Sequence, residues 1–162
     1  MIKKIYIAGP LFNKREQMYL EDIAKELEGK GYDCFLPHRD QTGIDESELK
    51  GTDMSQETKD RIFKNDLDAL DAADLTVALL TGQDIDSGTS AEIGHTYAKE
   101  KPVIAINANE RRYRNLFVEG MLTVTVNNID QLIPEIEKLN WNQKIFKSSD
   151  TESTCSWTVS YT

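Results

Sequence analysis

Short apolar runs alternate with longer stretches of helical period along most of the chain, and few folds accept that alternation. Ile2 to Ala8 is apolar and β-branched and stops at Gly9-Pro10, as a strand ending in a turn does. Lys14 to Lys30 carries Met18, Ile23, Ala24 and Leu27 at helical spacings among charges, and Gly29 and Gly31 close it. The pattern continues with a strand at Asp33-Cys34-Phe35-Leu36, a helix from Met54 to Ala72 with Ile62, Phe63, Leu67 and Leu70 as its apolar stripe, and a strand from Asp74 to Leu80. A helix from about Ser90 to Glu100, strands at Pro102 to Ile106 and Leu122 to Val126, and a helix from Ile129 to Leu139 complete it.

Strands separated by helices predict parallel pairing through right-handed crossovers. The expected architecture is a flavodoxin-like, doubly wound α/β domain: a five-stranded parallel sheet with helices on both faces, spanning residues 1–139. Residues 140–162 change character, with the Ser/Thr-rich acidic run Ser148 to Thr154, and read as a polar, mobile tail. Two polar stretches interrupt the pattern. His38 to Asp53 is long enough to be a candidate lid, and Asn107 to Arg114 carries Arg111, Arg112 and Arg114.

A chain of 162 residues can bury about two-thirds of its unfolded surface and needs no staples. Its formal net charge of −9 argues against a nucleic-acid polymer or an anionic membrane as partner, since both require a basic face. Cys34 and Cys155 make neither a metal spacing nor a disulfide framework, and with His38 and His95 as the only histidines no metal is expected. There is no G-x-G-x-x-G after the first strand and no G-x-x-x-x-G-K, hence no dinucleotide fingerprint and no P-loop. No signal peptide or apolar span is apparent, which leaves a cytoplasmic location as the expectation.

The stretch from Asp84 to Ala98 follows the apolar run Leu75 to Leu80 and contains Asp86-x-Gly88-x-x-x-Glu92-x-Gly94. A strand, an acidic loop and a helix would put Asp86 and Glu92 at the carboxyl edge of the sheet, where open α/β folds bind ligands. A glutamate near a helix start is expected to stay ionised in the field of the backbone amides, and a fixed carboxylate can attack a sugar carbon. Thr89-x-x-Glu92 is equally a capping box, with Glu92 folded back onto the cap amide.

The Asp86 to Gly94 pattern, with Ile5-Tyr6-Ile7-Ala8-Gly9-Pro10, Asn65-Asp66-Leu67 and Asn115-Leu116-Phe117, resembles the nucleoside 2-deoxyribosyltransferase family over roughly residues 1 to 139. The resemblance implies exchange of nucleobases on a 2-deoxyribosyl group through a covalent ester on Glu92, with 2-deoxynucleosides and free nucleobases as partners and no cofactor. It makes Tyr6 the residue that orients the nucleophile, Asp66 the proton donor to the base and Asp86 the ligand of the sugar hydroxyls. Gln41 takes the spacing of a base-reading glutamine, Gly9 and Gly88 fall in the substrate-binding motifs, and Asn115 would reach the sugar of a neighbouring subunit, so that a homo-oligomer shares its sites. It gives His95 no role.

Each of these residues also has a local reading: an ordinary strand tyrosine for Tyr6, a solvated helix carboxylate for Asp66, an Asx turn for Asp86, a helix cap for Asn115. Two rival activities use the same fold, an N-glycoside hydrolase of deoxynucleoside 5′-monophosphates and a non-catalytic nucleoside-binding module. The apolar loop Gly9-Pro10-Leu11-Phe12-Asn13 favours a free 5′-hydroxyl over a phosphate, and Arg15 with the Arg111, Arg112 and Arg114 cluster is the counter-signal.

Overall fold

The computed structural model describes residues 1–44, 54–81, 84–107 and 115–149; the Arg111, Arg112 and Arg114 cluster, residues 45–53 of the candidate lid and the tail beyond residue 149 lie outside the described residues. Five parallel strands, β1 (Lys4–Ala8), β2 (Asp33–Phe35), β3 (Leu75–Leu80), β4 (Val103–Asn107) and β5 (Val124–Val126), form one sheet in the order β2-β1-β3-β4-β5. That order is flavodoxin-like and places the topological switch between β1 and β3. The helices are α1 (Lys14–Glu28), α2 (Gln56–Ala72), α3 (Ser87–Ala98), the short α4 (Leu116–Glu119) and α5 (Leu132–Ser149).

Side chains alternate along each strand, so the sheet has two apolar faces. Ile5 and Ile7, Val77 and Leu79, and Ile104 and Ile106 meet Leu20, Ile23 and Leu27 of α1 and Leu132 and Ile136 of α5. Tyr6, Ala8, Ala78, Leu80, Val103 and Ala105 meet Leu70 of α2, Ile93 of α3 and Val118 of α4. All six residues of β3 are buried, as a central parallel strand covered on both faces requires. Ala8, Ala78 and Ala105 are register partners across β1, β3 and β4, and this row of small side chains lets Ile93 of α3 pack onto the sheet.

Three helices depart from the expected pattern. In α1 the buried face includes Leu20, while Met18 is 57% exposed. In α2, which starts at Gln56 under the cap of Ser55, Leu70 is buried but Phe63 is 68% exposed. Asp66 lines a cleft together with Gly9, the residue after β1, and Phe63, a turn earlier in α2, is left to solvent. The helix expected from Ile129 to Leu139 is a 3₁₀ turn, Ile129–Gln131, followed by α5, which continues to Ser149.

Candidate active site

At the carboxyl edge of the sheet, over the β1/β3 switch, lies a cleft of about 330 Å³. Gly9, Leu11, Phe12 and Pro37 make its less polar wall, and Asp66, Asp86 and Glu92 bring three carboxyl groups into it, with Gly88 and Thr89 on the helix side. The volume suits a small organic ligand. Gly9 is required by packing, because a Cβ there would stand 2.7 Å from Leu20 Cδ2 and 3.2 Å from Leu79 Cβ.

Asp86 caps α3: its Oδ2 accepts from the Thr89 amide at 2.9 Å and from the Thr89 hydroxyl at 3.1 Å. The helix therefore begins at Ser87, three residues earlier than the sequence suggests, and Thr89-x-x-Glu92 is not a capping box. Asp86 is the Asx cap that its local sequence allows and a wall of the cleft at once. A Cβ on Gly88 would lie 3.1 Å from Asp86 Oδ2, so the glycine keeps that carboxylate uncrowded.

With the helix starting at Ser87, Glu92 sits in its second turn, aimed back at the sheet. The Tyr6 hydroxyl donates to Glu92 Oε1 at 2.6 Å, and the Tyr6 ring is fully buried against Phe35, with centroids 5.6 Å apart. The backbone of the same glutamate is fixed separately. Thr96 Oγ1 donates to the Glu92 carbonyl at 2.9 Å and lies 2.7 Å from Thr76 Oγ1, and Thr76 is the register partner of Tyr6 on β3. Adjacent positions on β1 and β3 thus hold the head and the backbone of Glu92.

Burial pushes the Glu92 carboxyl up to about 7; the charges of Asp66 and Asp86 add to the rise, and the Tyr6 hydrogen bond opposes it. Glu92 lies beyond the first turn, where the field of the amides has faded, so burial raises its carboxyl rather than the helix start lowering it as the sequence suggests. Asp66 is raised to about 6, again by burial, against the hydrogen bond from Gln41. The Tyr6 hydroxyl is raised too, by burial first and then by Glu92 and Asp66, so it remains a donor.

Gln41 joins the site through Asp66: its Nε2 donates to Asp66 Oδ1 at 2.7 Å and to the Pro37 carbonyl at 2.9 Å. Asn65 Nδ2 donates to Gln41 Oε1 at 3.0 Å and to the Thr42 carbonyl at 2.9 Å. Asn115 is elsewhere. It caps α4, its Oδ1 accepting from the Phe117 and Val118 amides, and it is exposed beside Leu116 and Phe117, themselves 81% and 78% exposed.

His95 pairs with Asp71 of α2 at 2.8 Å and His38 with Glu21 at 3.1 Å. Among the described residues no group of His, Cys, Asp and Glu could hold a metal ion, and no helix is long and apolar enough to cross a membrane. Thr76 and Thr96 escape the sequence reading. A threonine inside the apolar run Leu75 to Leu80, and another four residues after Glu92, are the signals that could have found them.

The family model described as "Nucleoside 2-deoxyribosyltransferase" matches residues 5–149. A nucleoside deoxyribosyltransferase of Limosilactobacillus fermentum is 30% identical over 108 residues, an alignment that spans 64% of this chain and 64% of that relative. Among solved structures, a conserved protein from Enterococcus faecalis V583 superposes with a TM-score of 0.70 at 27% identity, covering 85% of this chain and 99% of the other. A 2-deoxyribosyltransferase from the psychrotolerant bacterium Bacillus psychrosaccharolyticus superposes with a TM-score of 0.69 at 28% identity, over 80% of this chain and 89% of its own.

Proposed function

Since this chain belongs to the nucleoside 2-deoxyribosyltransferase family, we propose that it exchanges nucleobases on 2-deoxynucleosides by two displacements at Glu92. The observation that carries the reading is the 2.6 Å hydrogen bond from a buried tyrosine to a cleft glutamate that has a second carboxyl of raised proton affinity, Asp66, lining the same cleft.

In the first displacement an ionised Glu92 oxygen bonds to C1′ from the face opposite the base, while the C1′–N bond breaks and its electron pair leaves with the base. Asp66 gives its proton to that base, so a neutral base departs. In the second, a nitrogen of the incoming base attacks C1′, the ester bond to Glu92 breaks, and the proton lost by the incoming base returns to Asp66. Two inversions restore the β configuration. Tyr6 donates to the carboxylate, and its hydrogen bond orients Glu92 and stabilises its charge when the ester breaks. Asp86, with one oxygen spent on the Thr89 cap, has its other oxygen for a sugar hydroxyl.

The substrate is a deoxynucleoside with a free 5′-hydroxyl. The ionised carboxylates of the cleft repel a phosphate, and the N-terminus of α1, the neighbouring candidate cradle, is already filled by its own chain. Asn13 Oδ1 accepts from the Arg15 and Glu16 amides, and Glu16 Oε2 accepts from the Phe12 amide at 3.2 Å.

The site works in a homo-oligomer, with Asn115 of one subunit serving the sugar of the next. The exposed Leu116-Phe117 pair beside Asn115, and the lining of the described cleft by residues other than Asn115, support this. The test of the function is to incubate the protein with deoxyinosine, with and without adenine. Formation of deoxyadenosine supports the transferase. Release of hypoxanthine at one rate whether or not adenine is present would make it a hydrolase, and no release would leave a binding module.

A further inference from the structure

A side-chain amide has two N–H donors and one oxygen with two lone pairs. Both donors of Gln41 are spent inside the protein, on Asp66 Oδ1 and the Pro37 carbonyl, and its oxygen accepts from Asn65. Turning the amide over would set Oε1 against two acceptors and Nε2 against the Asn65 donor, and Asn65 is itself held by the Thr42 carbonyl. One lone pair is left for anything in the cleft. A group so committed cannot donate to a base, although the spacing of Gln41 in the sequence suggests a base reader.

We propose that Asn65 and Gln41 are positioning residues for the proton donor: Asn65 locks the Gln41 amide so that its N–H faces Asp66 Oδ1, which leaves Oδ2 as the oxygen that carries the proton to the leaving base. The inference rests on the role given above to Asp66. Oδ1 accepts the amide hydrogen in either protonation state, so the acid hydrogen resides on the other oxygen. The same bond favours the ionised form and limits the rise that burial imposes on Asp66. Among the described residues the other ionisable groups that face Asp66 are Glu92 from α3, its cap Asp86 and Tyr6 from β1, and the substitutions below leave all three in place.

The test follows Asp66 by carboxyl-carbon NMR titration and by the pH profile of kcat, in the full chain and in Gln41→Leu, Asn65→Ala and the double variant. Gln41→Leu should raise the Asp66 midpoint by about one pH unit, the size of one hydrogen bond to a charged group. Asn65→Ala should raise it in the same direction by less. Added to Gln41→Leu it should change nothing further, because Asn65 acts only through Gln41. In the unaltered protein the Gln41 amide proton shifts should titrate together with Asp66, a readout that survives if a variant does not fold.

An Asp66 midpoint unmoved by Gln41→Leu, an Asn65 effect that persists without Gln41, Gln41 amide shifts indifferent to the titration, or a change confined to KM for particular bases would overturn the proposal. Absence of base exchange by the unaltered protein would instead count against the function, and the NMR titration would still decide the lock.

Discussion

Tyr6 and Glu92, 86 positions apart in sequence, meet at 2.6 Å because β1 ends beside the strand from which α3 departs. Removing the hydroxyl in Tyr6→Phe should lower kcat by about 10- to 100-fold, since a hydrogen bond to a charged group contributes about 1.5–3 kcal/mol. The Glu92 carboxyl loses a donor to its ionised form, so the limb of the profile that its titration sets should move to higher pH. Initial rates across pH measure both effects. An unchanged limb would separate Tyr6 from the nucleophile.

The two raised carboxyls titrate as a pair. Below about 6 both tend to hold protons and Glu92 cannot attack; above about 7 both are ionised and no acid remains for the base. Exchange should therefore follow a bell with its maximum near the interval between these values. A rate that keeps rising well above neutrality would contradict a carboxylic acid as the proton donor.

Burying an acid that must ionise costs stability, and the sign can be worked out. The folded-state value of Glu92, about 7, lies above its ordinary 4.5, so the folded state binds the proton more tightly and stability falls as pH rises between them. Glu92→Gln removes that penalty. It should be inactive in exchange yet more stable than the parent by about 2 kcal/mol at pH 8, with the advantage fading by pH 4. Thermal melts at the two pH values test this, and a difference that does not depend on pH would contradict it.

The layers of the fold were legible because parallel strands covered on both faces leave continuous apolar runs, of which Leu75 to Leu80 is the clearest. The neighbourhood of Asp86 and Glu92 was legible for a related reason: a strand, a glycine loop and a helix fix their place at the sheet edge. What local sequence could not reveal depends on distant parts of the chain. Glu92 is held by a tyrosine from another strand, its proton affinity is set by burial, and the Thr76 to Thr96 contact joins two elements. Gln41 has the residue type of a base reader, yet Asn65 and Asp66, two dozen positions away, occupy its amide. Asp86 took the cap from Thr89 and moved the helix start, a competition between capping residues three positions apart that spacing alone leaves open.

Sharing of sites between subunits has its own test. Glu92→Ala and Asn115→Ala proteins, each inactive alone, should regain exchange activity when mixed under conditions that let subunits exchange. Some mixed interfaces then carry both defects in one site and leave the other whole. No recovery despite demonstrated subunit exchange, or a fully active monomer, would confine Asn115 to its capping role and leave the Glu92 chemistry untouched.

An ester on Glu92 adds the mass of a deoxyribosyl group to the protein during turnover. Acid quenching during turnover of deoxyinosine without an acceptor base, followed by intact-mass and peptide analysis, should find one deoxyribosyl group added to the peptide containing Glu92. The adduct should vanish on adding adenine as deoxyadenosine appears. Exchange at full rate with no adduct, or an adduct and normal exchange in Glu92→Ala, would rule out Glu92 as the nucleophile.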